Sequence, residues 1–381
     1  MDLKRILGLD YGNKTTSNLK LSRRDFLKLA AAGSVVTVGG YALYEFAPWL
    51  NYESQVTKTW TPSQDSSSAD AKLRGLVHFA TLAANGHNTQ PWKFALKENT
   101  IEIHPDFSRQ LAAVDPGHRE LWISLGCALE NLTVAARASG FAPEVTYPDA
   151  ADFIHIQLKP DTAQSSDLFN AILLRQNTRS EYDGQPVETA AIEQLTLEPG
   201  VSLQFITTPA ELETTLNYVN QGNLSQYADT AFVDELIAWL RFNKKDAMAV
   251  MDGLYSICSG NPEVPRWLGQ MFVAGTKPQQ QADIDAKKLR SSSGAVLVAS
   301  TADDKSSWVR TGQVYERLAL KMTALNIQSA FLNQPIEVAS LRSQFQNAMG
   351  MGTFLPQLLV RYGHAPALPR SLRRGVEQVM L

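Results

Sequence analysis

Cysteine is nearly absent. The 381 residues hold two, Cys127 and Cys258, and neither stands at a metal-binding spacing. Cys127 lies in an apolar helical pattern and reads as core rather than as a reactive thiol. A Cys127–Cys258 disulfide would require an oxidising compartment. Charge of one sign is lacking too, since 35 basic and 38 acidic side chains leave a net charge of -3. That balance gives no electrostatic ground for binding nucleic acid. The chain has no Ser-His-Asp signature, no His-Glu-x-x-His and no Cys-x-x-Cys, and Gly350-x-Gly352 alone is too little for a dinucleotide fingerprint. No nucleophile or general base stands out. What is present is a globular composition, 44% hydrophobic, with length for one large domain or two to three smaller ones.

Long apolar runs are scarce as well. The run from Leu29 to Tyr44 is uncharged and follows Ser22-Arg23-Arg24-Asp25-Phe26-Leu27-Lys28. As a helix it would reach ~24 Å, short of the ~30 Å of a bilayer core. Twin arginines before a moderately apolar segment are the address of the twin-arginine export route. Residues 1–50 are therefore expected to be that signal, recognised by the export machinery. Gly40-Tyr41-Ala42 is the best small-x-small site, and retention as an anchor stays open. The working place is then the periplasm or the outer face of the inner membrane. Residues 51–71, polar and Ser-rich from Thr57, read as a linker. The route carries folded proteins, which raises the expectation of a cofactor loaded beforehand.

From Leu73 helical and strand periods alternate, as in an α+β fold. Helices are expected over Leu121 to Ala138, Leu168 to Leu174 and Tyr315 to Leu325. Strands are expected over Trp92 to Leu96, Ile101 to His104, Phe153 to Leu158, Leu203 to Thr207, Ala295 to Ser300 and Gln357 to Tyr362. A faint internal repeat runs through the two long helices. Gly126, Glu130 and Gly140 recur as Gly312, Glu316 and Asn326 at the same offsets. Each helix ends before a residue that tolerates the left-handed conformation. Two related halves follow, at 72–160 and 165–381. Residues 218–290 look like a helical insertion, either a lid or an ordinary subdomain.

The run Asn85-Gly86-His87-Asn88-Thr89-Gln90-Pro91-Trp92 joins a helical pattern to a strand. It brings side-chain amides, a glycine and an imidazole onto a short piece of backbone. Such a loop either satisfies turn geometry or offers donors to a flat polar ligand. Its Asn88, Gln90, Pro91 and Trp92 match the Asn-x-Gln-Pro-Trp loop of the FMN-dependent nitroreductases. Ala84 and Asn85 depart from that family's Pro and Ser. Asp115 to Glu120, Gly126 to Leu132, Arg175 to Arg179, Pro356 to Leu358, Arg361 and the tail also resemble its single-chain, double-length branch.

The resemblance implies a nitroreductase-like fold and one FMN. Family members are usually homodimers whose sites cross the interface. Here the first half carries the Asn85 to Trp92 loop, and the second carries Arg175-x-Asn177-x-Arg179. Each half lacks what the other has, so the implied molecule is an intramolecular pseudo-dimer, a monomer with one complete site. Asn85, Gly86, His87, Asn88 and Gln90 are expected at the flavin ring. Arg175, Asn177 and Arg179 are expected at the phosphate and ribityl chain. Arg370 and Arg373 would form a second phosphate clamp, unless the tail is a solvated basic terminus. The backbone of Ala330, Phe331, Leu332 and Asn333 is expected near the ring. His87 is the one candidate proton donor there, against a loop-packing role. The implied activity is ping-pong hydride transfer to a small-molecule acceptor such as a nitroaromatic or quinone. Exported proteins meet little NAD(P)H, so a quinol or a partner protein are alternative donors. The other reading is a protein that holds FMN with little turnover.

Overall fold

The computed structural model describes residues 51–62, 68–148 and 151–381. The export motif lies outside them. Two four-stranded antiparallel sheets flank a central pair of long helices. The first sheet contains β1 (Trp92–Lys97), β2 (Thr100–Pro105), β3 (Phe141–Thr146) and β4 (Ile154–Pro160), in the order β1-β2-β4-β3. The second contains β5 (Val201–Ile206), β8 (Gly294–Ser300), β9 (Gln328–Phe331) and β10 (Leu355–Gly363), in the order β5-β8-β10-β9. The two orders are equivalent. A minor parallel pair joins β6 (Leu240–Arg241) to β7 (Leu254–Tyr255). The short strands β3 and β9 were not legible in sequence. Phe141-Ala-Pro-Glu-Val-Thr is half exposed at a sheet edge and carries a proline, both of which blur a strand pattern.

The helices used below are α1 (Tyr52–Trp60), α2 (Ala69–Thr81), α3 (Arg119–Ala138), α4 (Asp167–Ile172), α5 (Pro209–Ala228), α6 (Thr230–Trp239), α7 (Lys244–Val250), α8 (Arg266–Ala274), α9 (Pro278–Arg290) and α10 (Lys305–Ala324). Ser68, Ser166 and Asp304 cap α2, α4 and α10 through side-chain oxygens. Thr208 and Glu211 form a capping box on α5.

Helices α3 and α10 cross at Gly126 and Gly312. A Cβ on Gly126 would lie 2.1 Å from the Val309 carbonyl oxygen. A Cβ on Gly312 would lie 2.0 Å from that of Ile123. Each glycine thus meets the residue three positions before the other, as a two-fold relation requires. The repeat continues: Gly140 and Asn326 end the two helices at φ of 84° and 58°.

The sheets differ in cover. Strand β2 alternates buried and half-buried residues, while β8 is buried throughout. Val296 and Val298 face the central helices, and Ala295, Leu297 and Ala299 pack under Leu216, Val219 and Leu289 of α5 and α9. A strand covered on both faces reads as a continuous apolar run.

That packing corrects two expectations. Helices run through the connection from β5 to β8, starting at Pro209 rather than near 218 and ending at Arg290, and the first and last of them are core. The part between them, from α6 to α8, packs instead on Leu111 and Val114 through Phe232, and on Tyr52 and Leu372 through Ala247 and Tyr255. Residues 51–71 are not simply linker either: α1 is a helix, because Tyr52, Val56 and Trp60 share one face and Tyr52 and Trp60 are buried. Cys127 and Cys258 are both buried free thiols.

Candidate functional site

The loop after α2 holds three non-glycine residues in the left-handed region: His87 at φ 49°, Asn88 at 54° and Gln90 at 53°. Each such residue costs ~1–3 kcal/mol unless its surroundings enforce it. The enforcement is visible. Gln90 N–H donates to Asn85 Oδ1 at 2.8 Å. Asn88 Nδ2 donates to the carbonyls of Gly253 (3.0 Å) and Leu372 (3.2 Å). Gly253 N–H donates to the Asn88 carbonyl at 3.1 Å. Gln90 Nε2 donates to the Met251 carbonyl at 2.9 Å, and its Oε1 accepts from Arg374 N–H at 2.8 Å. The insertion and the C-terminal tail therefore clasp the loop from two sides. Buried Asp252 reinforces the clasp by pairing with Arg109 of the first half and Arg241 of the insertion.

A cavity of about 60 Å³ opens beside the loop. Asn85 and Asn88 line it from the first half; Arg175, Asn177 and Arg179 from the segment after α4; Arg370 and Arg373 from the tail. These seven expected residues, far apart in sequence, are brought together. The other expected residues do not line it. Gly86 packs toward Leu111, Gln90 is turned to Met251 and Arg374, and His87 sits behind the wall within the field of Arg179. Ala330, Phe331, Leu332 and Asn333 lie one step away, joined through a bridge between Asn177 and Ser329. The Asn333 side chain is occupied in accepting from Leu359 N–H at 2.9 Å. Strand β9 is the reason: it places this stretch inside the second sheet. His87 also carries no imidazolium proton to give at neutral pH, because burial and then Arg179 lower its pKa to about 4.

Two wall residues were not foreseen, Trp60 from α1 and Gln176; a further part of the wall, Gly253 to Ser259, comes from the stretch read as an insertion that is either a lid or a subdomain. A tryptophan eight residues after a buried tyrosine on one helical face was the available signal for the first. The Cys258 thiol in this wall is pushed up to about 11, chiefly by burial, and stays protonated.

The electrostatics are lopsided. Arg175 is tied down: its Nε stands 3.0 Å from Glu316 Oε1, and its Nη2 donates to the Leu82 carbonyl at 3.1 Å. Glu316 also accepts from Ala84 N–H at 3.2 Å, so it pins the loop's start to the arginine segment. Among the described residues, no hydrogen bond or ion pair reaches the Arg179 guanidinium. Arg370 donates only to backbone carbonyls, and Arg373 to Ser371 Oγ and the Leu372 carbonyl. Burial lowers the pKa of Arg373, and the neighbouring Arg175 and Arg370 lower it further. Buried Arg373 Nε and Gln176 Nε2 have no partner. Desolvated cations and idle donors are the complement of a multiply charged anion.

Arg175 therefore answers to the fold before any ligand. Arg175→Ala would leave Glu316 buried without its cation, at ~3–5 kcal/mol. Burial already raises the Glu316 pKa. The deficit should shrink as pH falls and the carboxyl takes a proton. Urea unfolding of the variant at neutral and mildly acid pH checks both points.

No protein-family model matches the chain. It is similar to a Mycobacterium tuberculosis protein provisionally named NAD(P)H nitroreductase, 28% identical over 336 residues, covering 81% of this chain and 90% of that one. A second M. tuberculosis protein with the same provisional name is 26% identical over 327 residues, covering 81% and 94%. Among solved structures, a nitroreductase from Anabaena variabilis, also provisionally named, aligns over 82% of this chain and 91% of its own at 8% identity, with a TM-score of 0.41. The FMN-dependent nitroreductase NfnB of Mycobacterium smegmatis, solved with NADPH, covers 56% of this chain and 96% of its own at 11% identity, with a TM-score of 0.36. Structural likeness at that level fixes neither ligand nor residue role, and the chain stands as similar in sequence to proteins bearing nitroreductase names.

Proposed function

We propose that this chain is an FMN-dependent oxidoreductase of nitroreductase type, built as a pseudo-dimer within one chain and holding one FMN between its halves. The observation that carries this reading is the cavity where the Asn85 to Trp92 loop meets an under-compensated arginine cluster. A dianionic phosphate suits Arg179, Arg370 and Arg373, and Asn177 and Gln176 suit a polar chain. Asn85 and Asn88 suit the polar edge of a flat ring. Bound FMN would supply the redox chemistry, taking up a hydride and passing it on. The chain's own part is to bind, orient and exclude water.

A single site is supported by the opposite corner. There Glu130 takes the place of Glu316, and Thr196 to Glu198 precede β5 as the loop precedes β1. Arg317 joins Glu130 (2.7 Å) to Glu198 (2.9 Å), and Tyr147 donates to Gln313 at 2.8 Å. Side chains already fill that corner.

We further propose export by the twin-arginine route, on the Ser22 to Lys28 motif, and a monomer working in the periplasm or at the outer face of the inner membrane. NAD(P)H is the donor class in the relatives' names; a quinol or partner protein is the donor class that suits the periplasm. The wall that Gly253 to Ser259 of the insertion add to the cavity favours one other reading, a protein that holds FMN with little or no turnover.

Protein purified from a flavin-replete host should be yellow, with about one FMN per chain. A colourless protein that no added flavin reconstitutes would refute the reading, and a ratio near two would refute the single site. Anaerobic mixing with NADH, NADPH and a quinol analogue separates the enzyme from the holder: bleaching by any of them identifies a reductase.

A further inference from the structure

We propose that α1 belongs to the cofactor site, with Trp60 and Tyr52 as the positioning residues of its arginine clamp. The proposal rests on the FMN reading above and adds residues to it. Residues 364–375, which carry Arg370 and Arg373, contain neither helix nor strand. No ladder of hydrogen bonds fixes where their side chains stand, so outside contacts must. Helix α1 supplies four. Tyr52 Oη donates to the Arg370 carbonyl at 2.8 Å, and Trp60 Nε1 donates to the Ser371 carbonyl at 2.9 Å. The Arg370 guanidinium lies 3.8 Å from the centre of the Trp60 ring, and that of Arg373 lies 5.5 Å away. An aromatic face attracts a nearby cation, the more strongly the less water reaches it, and here Arg370 is half-buried and Arg373 buried. Tyr52 and Trp60 are 1% and 7% exposed, on a helix whose other faces meet solvent.

A general prop and a phosphate-clamp positioner differ in what they discriminate. Loss of a prop weakens every flavin alike. Loss of the positioner weakens only the flavin that carries a phosphate.

The test titrates full-length apoprotein with FMN and with riboflavin, for wild type, Trp60→Ala, Trp60→Phe and Tyr52→Phe. Trp60→Ala should weaken FMN about tenfold, or ~1.4 kcal/mol, and leave riboflavin within about twofold. Trp60→Phe keeps an aromatic face and should recover most of that loss. Tyr52→Phe removes one hydrogen bond and should weaken FMN about threefold. Parallel losses for both flavins, or no loss for either, overturn the proposal. Should Trp60→Ala not fold, the same contrast read on the two phenylalanine variants decides. If wild type binds neither flavin, the FMN reading itself fails, an outcome distinct from these.

Discussion

Arg179→Ala combined with Arg373→Ala should strip the protein of flavin and leave it folded. Charge-assisted hydrogen bonds are worth ~1.5–3 kcal/mol each. Losing one from each residue amounts to ~3–6 kcal/mol, or roughly 10²–10⁴ in dissociation constant. Stability should hold because neither guanidinium has an acidic partner to orphan. Arg179 has no hydrogen bond among the described residues, and Arg373 donates only to its neighbours Ser371 and Leu372. Burial lowers the pKa of both, so each is a cation kept from water at a cost to the fold. Their removal should leave thermal unfolding of the apoprotein unchanged or slightly later. Flavin fluorescence titration beside a melting curve gives both numbers. Near-native FMN affinity in the folded double variant would remove the cluster from the site.

Gly126→Ala and Gly312→Ala should each destabilise the protein severely, by ~3 kcal/mol or more. Inserted methyl groups in packed cores cost ~1–3 kcal/mol when side chains can yield. Here they cannot. The atoms met at 2.1 and 2.0 Å are backbone carbonyl oxygens, so the helices themselves must part. Parting them also separates Glu316 on α10 from Ala84, which it holds at 3.2 Å. Flavin should therefore be lost along with stability. The double variant should cost less than the sum, since one separation relieves both clashes. Urea midpoints at constant slope measure this. Either alanine variant within ~1 kcal/mol of wild type would mean the crossing is looser than these distances require.

The two variants probe different kinds of information. The glycines were legible because they recur with Glu130 and Glu316 at fixed offsets, and a repeat in sequence reports a repeat in structure. The long helices and the buried strand β8 were legible for the same local reason: period and composition survive wherever one face, or both, must be apolar. Strand β9 and the Trp60 helix were not, because their order comes from what they dock on. Trp60 sits in a polar, Ser-rich neighbourhood whose composition speaks for a linker. Only its partners on the tail, at Arg370 and Ser371, make it a wall.

The site divides along the same line. The sequence by itself determined which residue types were available: an amide-rich loop in one half, arginines four apart in the other, and basic residues in the tail. It could not determine their duties. Arg175 and Arg179 look alike in the sequence and both line the cavity, yet one is paired with Glu316 and the other has no ion pair among the described residues. Gln90 and Asn88 are two residues apart, yet one anchors Arg374 and the other lines the wall. Those assignments depend on which partner lies within about 3 Å, the range of a hydrogen bond. Residues hundreds of positions away supply that partner, and only the tertiary structure decides it.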